Sequence, residues 1–273
     1  MTQQAAAEAP FADALVLAAD RGASDPVALD AGTRCKALAP IAGVAMLERV
    51  LGALETSRDV GRIHLAGPPR AIVDAEPALA EMLGADERYW HDSRSSPSAS
   101  AAAALDEIER ERPVLLTTAD HALLDGAMVD EFLESARARG LDFAVALVRH
   151  ETIMARFPEM RRTATRFADG AVCGCNLFAF MTPAGRELAG FWQRVENSRK
   201  KPWRVIAGTL GMRGVLRYLA GRLTLEEALN RLSSRLGVRI GAVMLERPEA
   251  AVDVDSAEDR RAVEALLAAA AEH

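Results

Sequence analysis

Aromatic residues are scarce in this sequence, and it contains no long apolar run. Phe, Trp and Tyr make up 5% of the 273 residues, which argues against an aromatic-rich β-sandwich. No segment offers about eighteen uncharged apolar residues, so no membrane-spanning helix is expected. The first ten residues lack the basic start of a secretory signal peptide. These absences predict a cytosolic protein.

Cysteines are also few, and their spacing does not suggest a metal site. The sequence contains Cys35, Cys173 and Cys175, an odd number. The pair around Gly174 has neither a second cysteine pair nor a nearby histidine to complete a zinc site. We therefore expect three reduced thiols.

Apolar residues are abundant, and half of the sequence is hydrophobic. Short apolar runs that end in Gly, Pro or charged residues are typical of buried parallel strands. Such runs occur at 14–19, 62–66, 114–118, 143–148 and 239–245, with weaker strand patterns at 161–167 and 176–180. Helical patterns alternate with them at 46–54, 72–83, 99–110, 125–139, at several places in 185–236, and at 256–270. A long loop is expected at 20–43.

This alternation predicts an α/β fold of three layers, Rossmann-like, with a mostly parallel sheet and a C-terminal helical insertion. We expect a single domain over 11–273, in which residues 150–238 form an inserted lobe on the acceptor side.

Charge is distributed unevenly along the chain. The net charge is −6, yet the segment 194–239 carries eleven Arg or Lys residues against three Glu. A basic segment in an acidic protein suggests an anionic partner. A solvated helical surface explains the same pattern, and both interpretations stay open.

The loop after the first predicted strand is the first candidate site. Loops at the carboxyl ends of parallel strands bind ligands in open α/β sheets, and backbone N–H groups with basic side chains can hold a triphosphate. The candidate residues are Ala18, Ala19, Asp20, Arg21, Gly22 and, further along, Lys36.

Aspartates at the ends of two other predicted strands form the second candidate site. Asp120 follows the strand 114–118, and Asp253 and Asp255 precede the last helix. Mg²⁺ takes hard oxygen ligands, usually one or two carboxylates together with phosphate oxygens and water. Alternatively, Asp255 or Asp259 only caps that helix, for which Ser256 is the expected N-cap.

Three segments in this order resemble the nucleotidyltransferase superfamily of GT-A-like fold, which includes molybdenum-cofactor guanylyltransferases, sugar-phosphate nucleotidyltransferases and cytidylyltransferases. The matching segments are Leu17-Ala18-Ala19-Asp20-Arg21-Gly22 with Lys36 to Leu47, Leu116 to Asp120, and Asp253-Val254-Asp255-Ser256-Ala257-Glu258-Asp259. Asp20 stands where the superfamily usually has Gly, and the spacing from Gly22 to Lys36 is longer than in many members.

The resemblance implies a role for each candidate residue. Backbone groups at 19–22 meet the nucleotide, Arg21 and Lys36 neutralise phosphate charge, and Asp120 with Asp255 holds Mg²⁺ or, alternatively, Mn²⁺. Asp253 is the alternative second ligand. The loop 95–100, with Ser96 and Ser98, contacts the base or ribose, and Gly174 and Asn176 lie on the acceptor side. His121, beside Asp120, is expected to be structural.

The activity implied is transfer of a nucleoside monophosphate from a nucleoside triphosphate to an acceptor, with release of pyrophosphate. The acceptor is expected to be an anionic small molecule or a lipid phosphate, and no nucleic acid partner is expected. A lipid acceptor implies peripheral contact of the segment 199–222 with the inner face of the membrane. The alternatives are a GT-A glycosyltransferase that uses a nucleotide sugar and a catalytically silent nucleotide-binding protein.

Overall fold

The computed structural model describes residues 9–19, 24–84, 88–160, 162–197 and 202–271, and its centre is one eight-stranded sheet. The strands of this sheet are β1 (Ala12–Leu17), β4 (Val60–Ala66), β5 (Arg88–His91), β6 (Val114–Thr118), β7 (Phe143–Arg149), β8 (Thr165–Phe167), β9 (Gly170–Phe180) and β10 (Ile240–Met244). A separate hairpin is formed by β2 (Pro40–Ile41) and β3 (Val44–Ala45).

The strand order in the sheet is β10-β7-β9-β6-β1-β4-β5, with β8 beside β9. The pairs β1–β4, β1–β6, β4–β5 and β7–β10 are parallel. Strand β9 lies between β6 and β7 and runs antiparallel to both of them, and it is also antiparallel to β8. The carboxyl ends of β1, β4 and β6 therefore meet at one edge of the sheet.

Helices cover the sheet, and several begin at a side chain that caps them. Asp25 accepts hydrogen bonds from the first backbone N–H groups of α1, and Asp125 does the same for α6. The helices are α1 (Pro26–Ala31), α2 (Met46–Thr56), α3 (Arg70–Val73), α4 (Pro77–Leu83), α5 (Pro97–Glu107), α6 (Gly126–Ala138), α7 (His150–Arg156), α8 (Pro183–Asn197), α9 (Pro202–Leu219), α10 (Leu225–Leu236) and α11 (Ala257–Ala271).

The two faces of the sheet are buried in separate apolar clusters. All six residues of β1 are buried; Ala14 and Val16 belong to the larger cluster, whereas Leu15 and Leu17 belong to the second. This alternation follows from the pleat, which sends successive side chains to opposite faces. Helices on both faces confirm the predicted α/β fold with a mostly parallel sheet.

The structure differs from the sequence predictions in three places. The expected loop 20–43 contains α1, whose six residues are too few to show a helical period. Strand β5 was not predicted, because its sequence Arg-Tyr-Trp-His has no apolar run. The stretch around Gly174 lies within the eleven-residue strand β9, where the small, mixed residues hide the strand pattern. In the described part of the chain, no helix is both long and apolar enough to cross a membrane.

Candidate functional site

A cleft of 780 Å³ opens at the carboxyl edge of the parallel strands. Its lining comes from the last residues of β1, β4 and β6, the residues that follow β1 and β6, Lys36, the starts of α1 and α5, and the loops before α5 and α11. The lining residues are Leu17, Ala18, Ala19, Asp25, Pro26, Lys36, Ala37, Ala66, Arg94, Ser95, Ser96, Pro97, Ser100, Thr118, Ala119, Asp120 and Asp255.

Lys36 bridges the two aspartates of this cleft. Its Nζ atom donates to Asp120 Oδ2 at 2.6 Å and to Asp255 Oδ1 at 2.8 Å. Burial alone would lower the pKa of Lys36, but the charge and hydrogen bond of Asp120, helped by Asp255, raise it above its ordinary value. The lysine is therefore a permanent cation held between two carboxylates that come from distant parts of the chain.

Asp120 is fixed by contacts on both its side chain and its backbone. Thr118, at the end of β6, donates its hydroxyl to Asp120 Oδ1 at 2.5 Å. The carbonyl oxygen of Asp120 accepts from Val254 N at 3.1 Å, which ties the C-terminal aspartate segment to the end of β6. Next to it, His121 is buried, and burial lowers its imidazole pKa to about 4. A neutral, buried imidazole agrees with the expected structural role of His121.

Asp253 lies in a different environment from Asp255. Arg162 donates to Asp253 Oδ1 and, at 2.9 Å, to its carbonyl oxygen, and Asn176 Nδ2 donates to Oδ2 at 3.0 Å. Burial raises the pKa of Asp253, and the charge of Arg162 opposes that effect. Asn176 thus hydrogen-bonds to Asp253, whereas Lys36 hydrogen-bonds to Asp120 and Asp255.

The loop before α5 forms another wall of the cleft. Ser96 lines the cleft and caps α5 by accepting a hydrogen bond from Ala99 N at 3.3 Å. Ser98 is fully buried, its N–H donates to Glu196 Oε2 at 3.1 Å, and its hydroxyl lies 3.2 Å from that of Ser96. Of the two serines, only Ser96 lines the cleft, whereas Ser98 is buried beside it.

The loop after β1 is described only in part. Ala18 and Ala19 line the cleft, and Ala18 N donates to the Ala66 carbonyl at 3.0 Å, which continues the β1–β4 ladder. The predicted site residues Asp20, Arg21 and Gly22 lie outside the described residues.

Two arginines at the site were not among the predicted residues. Arg94 lines the cleft, and Arg162 holds Asp253. Nothing in the local sequence singles out either side chain as part of a site: Arg94 lies in a polar stretch, and Arg162 lies at the start of the weak strand pattern 161–167. Their roles depend on how the loop before α5 and the segment before β8 fold onto the sheet edge.

The carboxylates of Asp120 and Asp255 suit Mg²⁺, which also takes ligands from phosphate and water. They suit less well a metal ion that takes all its ligands from the protein. Asp120 and Asp255 already share one cation, the Lys36 ammonium, so their carboxylates converge on one position. Among the residues that the structure describes, no group of three or more His, Cys, Asp or Glu side chains is placed to hold a metal. Two carboxylates are sufficient for Mg²⁺ when phosphate and water supply the remaining oxygens.

A lysine and two aspartates, Asp120 after β6 and Asp255 in the loop before α11, lie at the carboxyl edge of a mostly parallel sheet. The predicted strand end at Asp253 and Asp255 is therefore a loop, but the arrangement is typical of nucleotide-binding α/β proteins. Residues 14–166 match the MobA-like NTP transferase domain, which is more than half of the chain. The chain therefore belongs to the MobA-like NTP transferase family and is a nucleotidyltransferase.

Solved structures support the same fold. The chain resembles a hypothetical transferase from Thermus thermophilus, with a TM-score of 0.73, 29% identity, and coverage of 91% of this chain and 99% of that one. It also resembles a CMP:2-keto-3-deoxy-manno-octonic acid synthetase complexed with CTP, with a TM-score of 0.57, 14% identity, and coverage of 95% and 99%. For the 4-diphosphocytidyl-2C-methyl-D-erythritol synthase from Anaerococcus prevotii DSM 20548, the TM-score is 0.56, the identity 12% and the coverage 95% and 97%. The last two likenesses concern the fold alone.

A shorter likeness links part of the chain to membrane transporters. Over 109 residues the chain is 31% identical to zinc transporter ZIP1 of Homo sapiens, which covers 40% of this chain and 33% of that protein. The chain is also 28% identical to ZIP1 of Bos taurus over 121 residues, a match that covers 44% of this chain and 36% of that protein. The chain thus spans about a third of the length of these curated relatives.

Proposed function

We propose that this chain transfers a nucleoside monophosphate from a nucleoside triphosphate to an anionic acceptor, with Mg²⁺ bound at Asp120 and Asp255. The arrangement of Lys36 between these two aspartates, in the lining of the 780 Å³ cleft, is the observation that carries this proposal. A cation and two carboxylates at one position provide both parts of a triphosphate site, namely charge neutralisation and metal ligation.

In this reaction an oxygen of the acceptor attacks the α-phosphorus in line. A new P–O bond forms as the bond from the α-phosphorus to the bridging oxygen of the β-phosphate breaks, and pyrophosphate leaves with that electron pair. Such a step needs positioning and charge neutralisation more than a covalent nucleophile. A phosphate acceptor is already ionised, so it requires no general base.

Different residues have different roles in this reaction. The backbone at Ala18 and Ala19 borders the nucleotide, with Asp20, Arg21 and Gly22 continuing the loop as the superfamily resemblance implies. Lys36 and Arg21 neutralise the triphosphate, and Ser96 meets the base or ribose, with Ser98 supporting it. When bound, Mg²⁺ or Mn²⁺ supplies further neutralisation of the phosphate oxygens.

The acceptor is proposed to lie on the side of residues 150–238, which include Asn176. Beyond the kink at Gly211, the second part of α9 exposes Met212, Leu216 and Leu219 beside Arg213 and Arg217. Apolar and basic side chains on one short helix suit either a lipid phosphate at an anionic membrane surface or a soluble phosphorylated acceptor.

A thermal-shift titration tests the donor site. The protein is titrated with ATP, CTP, GTP and UTP, with and without Mg²⁺, alongside Asp120→Asn and the control Asp106→Asn, whose carboxylate is exposed on α5 outside the cleft. Because a ligand that binds only the native state raises the melting temperature, one triphosphate should give a Mg²⁺-dependent shift. The shift should persist in Asp106→Asn and vanish in Asp120→Asn. Folded protein that shifts with none of the four would refute the proposed donor site.

Turnover is then tested with that triphosphate and a panel of phosphorylated acceptors, soluble and in vesicles. Pyrophosphate released together with a nucleotidylated acceptor is the expected result. Release of a free nucleoside diphosphate from a nucleotide sugar would instead indicate a glycosyltransferase.

A further inference from the structure

Asp253 and Asp255 are separated by one residue, yet their carboxylates have different partners. Val254, between them, is fully buried, and its N–H donates to the Asp120 carbonyl at 3.1 Å. This anchor places Asp255 beside Asp120, where its Oδ1 atom meets Lys36 at 2.8 Å. No contact of the described residues links Asp253 to Lys36 in the same way.

Asp253 is instead held by two other side chains. Arg162 donates to its Oδ1 atom and to its carbonyl oxygen, the latter at 2.9 Å, and Asn176 donates to Oδ2 at 3.0 Å. The Arg162 side chain is 10% exposed. Both carboxylate oxygens of Asp253 therefore already accept hydrogen bonds, one of them from a buried guanidinium. These bonds fix the orientation of the Asp253 carboxylate, so metal ligation by Asp253 would compete with them.

The backbone of β9 is distorted at the point where Asn176 reaches Asp253. The register between β7 and β9 shifts between Val145 and Leu147, whose partners are Phe178 and Gly174. Asn176 lies within this irregularity and has a φ of 50°, in the left-handed region that residues other than glycine rarely adopt. The bulge turns its amide toward Asp253, and the resulting hydrogen bond offsets the unfavourable backbone conformation.

Arg162 also approaches Asp259, four positions after Asp255. Its Nη2 atom lies 3.9 Å from Asp259 Oδ1. The other oxygen of Asp259 accepts from Asp255 N at 3.2 Å and from the Ser256 hydroxyl at 2.7 Å. The guanidinium thus contacts aspartates on both sides of Asp255 and offsets part of the negative charge of the cluster.

We propose that Arg162 is a positioning residue which, together with Asn176, holds the Asp253 carboxylate away from the metal and so leaves Asp255 as the carboxylate beside Asp120. The second protein ligand is then Asp255 and not Asp253. This inference rests on the proposed function, because it assumes that a divalent cation binds at Asp120.

Mn²⁺ binding, followed by electron paramagnetic resonance, tests the choice between the two aspartates. The full chain is titrated with Mn²⁺ in the presence of the tightest-binding triphosphate, together with Asp253→Asn and Asp255→Asn. Asp255→Asn should weaken Mn²⁺ binding at least about tenfold more than Asp253→Asn, since only the former removes a ligand. An equal or larger loss in Asp253→Asn would overturn the inference. Folded wild-type protein that binds no Mn²⁺ would refute the proposed metal role and this assignment with it.

The Mn²⁺ spectrum also tests the positioning role of Arg162. Arg162→Gln should change the spectrum of the bound ion, because Asp253 is released beside it, and Arg162→Lys should restore the wild-type spectrum. An unchanged spectrum in Arg162→Gln, with the metal bound, would show that Arg162 does not control the ligand arrangement.

A double-mutant cycle in thermal unfolding supplies a readout that needs no metal. Arg162→Gln should lower the melting temperature of the wild-type chain by about 5 °C or more, because it leaves a partly buried carboxylate without its cationic partner. In an Asp253→Asn background the same substitution should cost less than half of that shift. Equal losses in the two backgrounds would show that Arg162 does not act through Asp253, whatever the outcome of the proposed function.

Discussion

Lys36 and Asp120 are separated by 84 positions in the sequence, yet their Nζ and Oδ2 atoms lie 2.6 Å apart. Their side chains are 14% and 19% exposed, so water screens this ion pair less than a surface pair. Asp255 shares the same ammonium but is 68% exposed. The pair therefore holds the segment after β1 against the end of β6, at the place where the triphosphate is proposed to bind.

Lys36→Met should weaken binding of the triphosphate in the presence of Mg²⁺. The substitution keeps an unbranched side chain of similar length but removes the charge that neutralises phosphate oxygens, so the dissociation constant should rise about 10- to 100-fold. Isothermal titration calorimetry measures this, with Arg110→Met as the control, because Arg110 is an exposed cation outside the cleft. Unchanged affinity in Lys36→Met would remove Lys36 from the triphosphate site.

The same substitution should have the opposite effect on a divalent cation added without nucleotide. The Lys36 ammonium already neutralises Asp120 and Asp255, so it competes with a cation for the same carboxylates. Lys36→Met should therefore bind Mn²⁺ about tenfold more tightly than wild type when no triphosphate is present. A weaker Mn²⁺ affinity in this variant would mean that the lysine assists metal binding instead of competing with it.

The sequence predicts those features that follow from a local pattern. Strand β6 was predicted with its observed bounds, because its apolar run is continuous and Pro113 precedes it. The capping of α11 follows from Ser256 and Asp259, and the structure shows Asp259 N donating to the Ser256 hydroxyl at 3.1 Å. The fold class needed only the alternation of strands and helices.

Features that depend on distant parts of the chain could not be predicted in this way. Arg162 is 91 positions from Asp253, and no local pattern connects them. The burial of Ser98 results from its position in the second residue of α5, against Glu196 of α8. A one-dimensional pattern places a residue near the end of a strand or helix, but the packing of another element decides which way its side chain points.

A buried histidine lies on β4, apart from the cleft. His64 Nδ1 is 2.9 Å from His91 Nε2, and its ring stacks on Tyr89 at 5.0 Å. Burial, followed by the repulsion of His91, lowers the pKa of His64 to about 4. The other charged or titratable groups around this pair are Asp13, Arg62, Glu107, Arg112 and Arg186.

This histidine should make the protein less stable as the pH falls from 7 to 5. Between its ordinary pKa of about 6.5 and the folded value of about 4, the unfolded state binds more protons, so acidification favours unfolding. The contribution lost by pH 5 should be about 1–2 kcal/mol. Urea unfolding at both pH values checks this. His64→Gln, which does not titrate, should show a smaller loss on acidification, and an identical pH dependence in the two proteins would exclude His64 as a source.

Gly67, which follows β4, approaches the expected nucleotide loop more closely than a side chain would allow. Its φ is 83°, and a Cβ atom placed on it would lie 3.0 Å from Ala19 N and 3.1 Å from the Ala19 Cα and Cβ atoms. Gly43, in the turn between β2 and β3, has a similar φ of 80° but has no atom within 4 Å of its Cβ position. The two glycines have the same backbone requirement, and only one of them borders the site.

Gly67→Ala and Gly43→Ala should therefore separate backbone strain from displacement of the loop. Both substitutions force alanine into the left-handed region, which should cost each variant about 1 kcal/mol in the free energy of unfolding. Only Gly67→Ala must also move Ala19, because a backbone nitrogen at 3.0 Å cannot be avoided by rotating a side chain. Triphosphate affinity should consequently fall several-fold in Gly67→Ala and stay at the wild-type value in Gly43→Ala, as measured by calorimetry. Equal affinities in the two variants, with both proteins folded, would mean that the backbone at Ala19 does not contact the nucleotide.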